Sequence, residues 1–247
     1  MKKIICLSLV LLGSVALAQS TEGVITYERV IKIDTDRFPE EMRSMIPAER
    51  KSNLQLIFNS EEAIYKTVKQ QEDINQEVTA GNDRMRFRMR TDESEFYTNL
   101  KKKTSLNKQD FFGRVFLIEG EDSTLEWKVT SEMKTVGKYQ AIKATAMRDT
   151  IPVEAWFTPQ IPVALGPGNY KGLPGMILHV SVNEGQQTIT ATNIDIRALT
   201  EAEAIVAPNK GKKVSREEFD KIREEKMAEM REMNGGTGRG GTVIIRN

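Results

Sequence analysis

The chain has 247 residues, of which 39% are apolar and 29% are charged, so it is long enough to bury a substantial hydrophobic core. Its 36 Lys and Arg residues nearly balance its 35 Asp and Glu residues, which argues against a strongly basic nucleic-acid-binding protein. With a single histidine and a single cysteine, the chain lacks any site that needs two of either, including disulfides and most zinc sites.

The first eighteen residues have the pattern of a secretory signal peptide. Two lysines precede an apolar run over residues 4–12, and an A-x-A cleavage site ends at Ala18. The apolar run is too short to span a bilayer, which takes about 20 residues. We expect an exported protein with no transmembrane segment. Because Cys6 is removed with the signal peptide, the mature chain would hold no thiol.

From residue 23 onward, apolar and polar side chains alternate with a period of two, which predicts β-strands. In residues 23–33, Ile25 and Tyr27 fall on the apolar face of a half-buried strand. A turn signal at Asn59 predicts a hairpin, and three lysines at residues 101–103 predict the tip of another. The predicted strands cover residues 23–33, 53–59, 63–68, 84–90, 95–100, 114–119, 125–131, 139–147, 153–157, 176–182 and 188–196.

Strands that follow one another without helical crossovers indicate antiparallel pairing. We therefore expect a mainly β fold: a single large curved antiparallel sheet, half-barrel-like, because so many strands tend to curl. A short helical turn is predicted at residues 39–46 and an amphipathic helix at residues 215–233. The predicted division is a signal peptide over residues 1–18, a sheet domain over residues 19–205, and a C-terminal helix with a Gly-rich tail over residues 206–247.

The C-terminal helix is predicted from its start signal and its apolar face. Ser215 and Glu218 have the spacing of a capping box, and Phe219 and Ile222 begin a stripe with helical periodicity. Methionines continue this stripe, which favours packing against the sheet. Thioethers three residues apart also suit Cu(I), so a metal site is an alternative. Its ligands would be Met227, Met230 and Met233.

Four arginines share one face of the strand predicted at residues 84–90. Guanidinium groups this close repel one another, and an anion would relieve the repulsion through forked hydrogen bonds. Alternatively, the face is solvated and pairs with acids on neighbouring strands. The possible anion face consists of Arg84, Arg86, Arg88 and Arg90.

Residues 159–175 contain four prolines and four glycines. Proline removes amide donors, so this segment is predicted to form successive turns rather than a central strand. Leu173-Pro174-Gly175 fits a type II turn, which requires positive φ at its third residue. The segment is either a rigid connector between two strands or a binding loop.

This segment carries a resemblance to a known family. The hexapeptide GLPGMI resembles the signature of the GLPGLI family of secreted proteins, with methionine in place of one leucine. The resemblance implies an exported or envelope protein of a Gram-negative bacterium, in the periplasm or outside the cell, and implies no catalytic residue. The signature positions are Gly172, Leu173, Pro174, Gly175, Met176 and Ile177.

The sequence therefore favours a non-enzymatic envelope binding or accessory protein without a cofactor. Its expected partner is an apolar small molecule held on the concave side of the sheet, or another envelope protein. The Cu(I) site is one alternative, and a hydrolase that uses paired carboxylates is another, since glycosidases need only two acids. The lone His179 is expected to be a structural or surface residue.

Overall fold

A computed structural model describes residues 21–37, 40–43, 46–68, 74–80, 83–89, 94–121, 124–235 and 243–245. The predicted signal peptide lies outside these residues. The strands are β1 Gly23–Lys32, β2 Glu49–Phe58, β3 Glu62–Thr67, β4 Ile74–Ala80, β5 Asp83–Met89, β6 Glu95–Asn99, β7 Thr104–Phe111, β8 Arg114–Glu121, β9 Lys128–Val136, β10 Tyr139–Arg148, β11 Ile151–Thr158, β12 Met176–Val182, β13 Gln187–Asp195, β14 Lys212–Ser215 and β15 Val243–Ile245. The helices are α1 Glu40–Arg43 and α2 Arg216–Gly235.

The predicted fold class is confirmed. Twelve strands form one large, mostly antiparallel sheet in the order β14-β8-β7-β6-β3-β2-β1-β13-β12-β11-β10-β9. The strands β15, β5 and β4 form a second sheet in that order. Register shifts interrupt three pairings of the large sheet, and such bulges bend the strands that contain them.

Two pairings depart from the expected antiparallel pattern. β14 lies parallel to β8, and β15 lies parallel to β5. A parallel neighbour needs a long return connection, and here the strands β9 to β13 lie between β8 and β14 in the chain. The C-terminal part of the chain therefore returns to edges that local sequence patterns do not predict.

The main hydrophobic core lies on one side of the large sheet, here called the inner face. Tyr27, Leu54, Ala155 and Val180 contribute to it from four different strands. Val24 points to the opposite, outer face and packs with β2 and β3 residues against Leu199. The beginning of β1 is thus buried on both faces, whereas a half-buried strand would have one face exposed.

Helix α2 begins where the capping box predicted. Ser215 Oγ accepts a hydrogen bond from Glu218 N (3.1 Å), and Glu218 Oε2 accepts one from Ser215 N (2.9 Å). Phe219 then packs edge-to-face on Phe116 of β8, with ring centroids 5.3 Å apart. This packing holds the start of the helix. Further along the helix, Met227 is 42% exposed.

The short helical turn is also found, as α1, while Pro39 lies outside the described residues. No helix in the described ranges is both long enough and apolar enough to cross a bilayer. Residues 101–103 form the turn between β6 and β7, as predicted. The predicted division of the chain near residue 205 stays a prediction.

Candidate functional site

The proline-rich segment (residues 159–175) covers the inner face of the sheet. Ile161, Val163 and Leu165 are buried, whereas Pro162 and Ala164 between them are exposed. Three-residue turns produce this alternation: Val163 N donates to Ile161 O (2.8 Å), and Leu165 N donates to Val163 O (2.8 Å). The segment thereby places an apolar side chain into the core at every second residue.

The start of β12 fixes the proline-rich segment. Met176 N donates to Ile161 O (3.0 Å), and Ile177 N donates to Leu165 O (2.8 Å). On the other side of the same residue, Tyr27 Oη donates to Ile177 O (2.7 Å). The signature residues Met176 and Ile177 are therefore buried between the sheet and the segment that covers it.

The predicted type II turn at Leu173-Pro174-Gly175 is wrong in detail. Gly175 N donates to Leu173 O (2.8 Å), which closes a three-residue turn, and Met176 N bonds to Ile161 instead of Leu173. Glycine is still required at position 175, since its φ is 145° and a Cβ would lie 2.7 Å from the carbonyl carbon of Thr158.

A strap of residues 124–127 crosses the proline-rich segment at Gly172. The φ of Gly172 is 91°, and a Cβ there would lie 2.7 Å from Thr124 Cγ2. Trp127 Nε1 donates to Lys171 O (2.9 Å), which fixes the other end of the strap. Lys171 itself is 3% exposed, and burial lowers its pKa to about 8.

A groove of about 710 Å³ opens where this strap leaves the sheet. The pairing between β9 and β10 ends at Lys128 opposite Thr145, whereas β10 continues beside β11 as far as Arg148. The last residues of β10 consequently have no strand beside them on that edge in the described part of the sheet. The groove is lined by Thr124, Leu125, Glu126, Lys128, Thr145, Ala146, Met147, Pro152, Val153, Glu154, Ser181 and Glu184.

The backbone polar groups of Met147 face this groove. Met147 lies opposite Pro152 of β11, which has no N–H to donate. In an antiparallel pair the hydrogen-bonded and non-hydrogen-bonded positions alternate, so a non-bonded residue directs its N–H and C=O away from its partner strand. Met147 is such a residue, and its side chain is 57% exposed. The edge thus presents a donor and an acceptor together.

The charge of the groove is mainly negative. Glu126, Glu154 and Glu184 line it against the single cation of Lys128. Burial acts to raise the pKa of Glu154, but hydrogen bonds from Trp156 Nε1 (2.7 Å) and Lys143 Nζ (3.1 Å) outweigh it and lower that pKa. A glutamate held ionised in this way is a poor general acid, but a carboxylate-dependent hydrolase also needs an ionised carboxylate as base or nucleophile, so that alternative stays a prediction.

A second group of polar side chains lies beneath the proline-rich segment. Tyr65 packs edge-to-face on Tyr27, with ring centroids 6.1 Å apart. Tyr27 is hydrogen-bonded, whereas the buried hydroxyl of Tyr65 has no partner in the described structure. Arg148 stacks over the ring of Tyr170, with its Cζ 4.5 Å from the centroid. Nothing in the sequence brings these residues together, because they come from distant strands and a loop.

His179 lies on the outer face within hydrogen-bond distance of one neighbouring side chain, as expected for a structural residue. Its Nδ1 is 2.8 Å from Thr190 Oγ1. Burial, followed by the charge of Lys134, lowers the pKa of His179 to about 4, although Glu154 opposes this. The ring is neutral at physiological pH.

The predicted anion face lies on β5, the middle strand of the small sheet. The register places Glu77 of β4 opposite Arg86. The side chains of Arg84, Arg86 and Arg88, and all of Arg90, lie outside the described residues, and the anion face stays a prediction.

The predicted Cu(I) ligands lie on α2, with the spacing of adjacent helical turns. Met227 is exposed and Met230 is half-buried, while the side chain of Met233 lies outside the described residues. No group of three or more His, Cys, Asp or Glu side chains that could hold a metal occurs in the described ranges. The methionine site also stays a prediction.

Comparison with known proteins finds a family model that matches the part of the chain containing the signature. Residues 145–179 match a family described as a protein of unknown function (Porph_ging). The matched stretch runs from the end of β10 through the proline-rich segment into β12, and so includes both the groove edge and the hexapeptide. The matching family model does not carry the GLPGLI name, so the relation to the GLPGLI family stays a resemblance. No curated protein matches the chain.

Solved structures show the same fold. Two structures of PNGF-II, in space groups P21 and C2, each match with a TM-score of 0.53 and 15% sequence identity. The match covers 81% of this chain and 32% of PNGF-II. At this identity the likeness shows the fold alone, and the chain spans about a third of the length of its structural relative.

Proposed function

We propose that the chain is an exported, non-enzymatic accessory protein of the bacterial envelope that binds another protein in extended form. The partner's segment would lie in the groove and pair with the free edge of β10. The observation that supports this most directly is that β9 begins at Lys128, opposite Thr145, so that the last three residues of β10, up to Arg148, have no β9 residue beside them.

An unpaired edge favours an extended partner. Its free N–H and C=O groups can hydrogen-bond a further strand, and alternate side chains of that strand then enter pockets on either side. Here Leu125 and Met147 offer apolar contacts, and Glu126 and Glu184 offer negative charge. This chemistry suits a segment in which Lys or Arg alternates with apolar residues.

The alternative of an apolar small molecule on the concave side has less support. The proline-rich segment fills that side with Ile161, Val163, Leu165 and Leu173, all of them buried. A lipid would have to displace these side chains and break the hydrogen bonds that hold the segment to β12. A protein partner, which the sequence also allows, is therefore the better proposal.

Replacing Met147 tests the proposal. Met147→Pro removes the outward N–H and leaves the pairing between β10 and β11 intact, whereas Met147→Ala removes only the side chain. Extended peptides selected from a displayed library against the natural protein serve as probes, and their affinities are measured by calorimetry. We expect Met147→Pro to weaken binding by about twofold to tenfold, and by more than Met147→Ala does, since one backbone hydrogen bond is worth about 0.5–1.5 kcal/mol.

Equal affinities for the proline variant and the natural protein would contradict the proposal. Circular dichroism and melting temperature establish that both variants fold. If no peptide is selected at all, the groove is not a peptide site and the proposal fails.

A further inference from the structure

The free edge of β10 is closed at one end by β9. Lys128, the first residue of β9, lies opposite Thr145, and β9 occupies the same side of β10 from there onward. A strand that pairs with residues 146–148 therefore lies in line with β9 and meets Lys128 after three residues. Such a strand has to end there or turn out of the sheet.

The other end of the free edge is open. Arg148 is followed by the exposed turn residues Asp149 and Thr150, which lead directly into β11. A partner chain can leave past this turn into solvent. An edge that is three residues long and closed at one end accommodates the terminus of a chain better than its middle.

The direction of pairing determines which terminus fits. Every pairing among β9 to β13 is antiparallel, and antiparallel pairs are the more stable per residue. A strand antiparallel to β10 runs in the same direction as β9, so its last residue lies opposite Ala146 and its carboxylate comes next to Lys128. A strand that ran the other way would place an N-terminal ammonium beside this cation, which would repel it.

The charges along the groove agree with this direction. Lys128 is the one cation that lines the groove, it is exposed, and no ion pair joins it to a described residue, Glu126 included. Glu154 is already bound by Lys143 Nζ (3.1 Å). Glu184 lies in the turn after β12, which donates to Pro152 O (2.9 Å) nearer the open end. Lys128 is therefore available to an incoming carboxylate.

We propose that the groove binds the free C-terminus of its partner: the last three residues pair with the edge of β10, and the terminal carboxylate binds Lys128. This inference rests on the proposed function and names the part of the partner that is recognised. The ammonium of Lys128 donates a charge-assisted hydrogen bond to the carboxylate, while β10 supplies the backbone bonds of strand addition. Glu184 suits a basic side chain earlier in the same segment.

Three forms of one peptide test the inference. Peptides are selected against the full-length protein from a library displayed with free C-termini. Each is then synthesised as the free acid, as the C-terminal carboxamide, and as an acid extended by Gly-Ser-Gly, and calorimetry measures the three affinities. We expect the carboxamide and the extended peptide to bind about fivefold or more weakly than the free acid, because hydrogen bonds between charged groups are stronger than neutral ones.

Lys128→Met identifies the group that binds the carboxylate, because it removes the ammonium and keeps most of the stem. We expect this variant to bind the free acid as weakly as the carboxamide, and to bind the carboxamide within about twofold of the natural protein. Lys213→Met is the matched control, since Lys213 pairs with Glu119 (3.1 Å) at the opposite edge of the large sheet. It is expected to change neither affinity. Circular dichroism and melting temperature establish that both variants fold.

The outcomes separate this inference from the proposed function. If all three peptide forms bind equally and Met147→Pro still weakens them, the C-terminus is not recognised and the inference fails, although the pairing with β10 stands. Selection of peptides only from a library without free C-termini would have the same meaning. A preference for the free acid that persists in Lys128→Met would overturn the assignment of the carboxylate to Lys128.

Discussion

Single residues of the signature hold the proline-rich segment against the sheet. Gly175 approaches the backbone of Thr158 so closely that a Cβ has no space, and its φ of 145° is one that other residues rarely adopt. Leu173, two residues earlier, is buried in the main core. The hexapeptide therefore serves a structural purpose in this fold, which is the connector interpretation of the segment.

Gly175→Ala is expected to destabilise the protein by about 3 kcal/mol or more, because it adds a backbone clash to an unfavourable φ. Gly113→Ala is the control, since Gly113 also has positive φ (77°) but open space around a Cβ. It is expected to cost about 1 kcal/mol. Urea denaturation measures both, and equal losses would show that close packing at position 175 is unimportant.

Met176→Leu, which restores the leucine of the resembled signature, is expected to cost less than about 1.5 kcal/mol. Both side chains have similar volumes, and Met176 is fully buried. Leu173→Ala leaves a cavity in the same core and is expected to cost about 2–5 kcal/mol. A Met176→Leu variant that lost as much as Leu173→Ala would mean that the thioether has a specific partner.

The neutral state of His179 predicts a pH dependence of stability. Its pKa is about 4 in the folded protein and near 6.5 when unfolded, so the unfolded chain binds the proton more tightly. Stability is therefore fully present above about pH 6.5 and falls as the pH falls toward 4, by at most about 3 kcal/mol and by less after solvent screening. Lys134 and Glu154 face the ring and shape this value.

His179→Gln is expected to reduce the change in the free energy of unfolding between pH 7 and pH 5. The chain has no other histidine, so the difference between the two curves reports this ring. Parallel curves would contradict the lowered pKa of the buried imidazole.

Sequence patterns predicted some of the strands and missed others. Alternation predicted β1, β3, β10 and β12 because each has one face in the core. The alternation did not predict β7, because the positions of β7 that face the end of the core are polar. Its apolar residues Leu106 and Phe111 are too far apart to show a periodic pattern. β14 has four residues and forms by docking on β8, which no local pattern encodes.

Sequence patterns also could not predict sites whose residues come from distant elements. Tyr27 and Tyr65 each lie in an ordinary alternating strand, and only the fold brings their rings to a centroid distance of 6.1 Å. The groove depends on where β9 ends relative to β10, whereas boundaries of elements are the least certain part of any sequence pattern. An unpaired tyrosine hydroxyl has no signature in the sequence.

Helix α2 is held by its first two turns. Phe219→Ala is expected to cost about 3–5 kcal/mol, since Phe219 fills the small core between α2 and β8. Met227→Ala is expected to cost less than about 0.5 kcal/mol, because that side chain is exposed. Thermal unfolding of the two variants measures the difference in stability. A large loss of stability for Met227→Ala would indicate that the later turns of the helix pack against a partner.

At the scale of the whole molecule, the sheet is open and its concave side is filled by the chain itself. We therefore expect organic extraction and mass spectrometry of the purified protein to yield less than one lipid per ten chains. A stoichiometric lipid would mean that the proline-rich segment moves out of the core, and would favour an apolar ligand on the concave side instead. The proposed protein partner instead meets the molecule at an edge.

Amide hydrogen exchange at Met147 tests that central claim most directly. The account predicts rapid exchange of this amide in the free protein, because it faces the groove, and strong protection when a selected extended peptide is bound. Exchange along residues 161–177 is expected to stay unchanged. Protection of those residues without protection of Met147 would place the partner on the inner face and contradict the account.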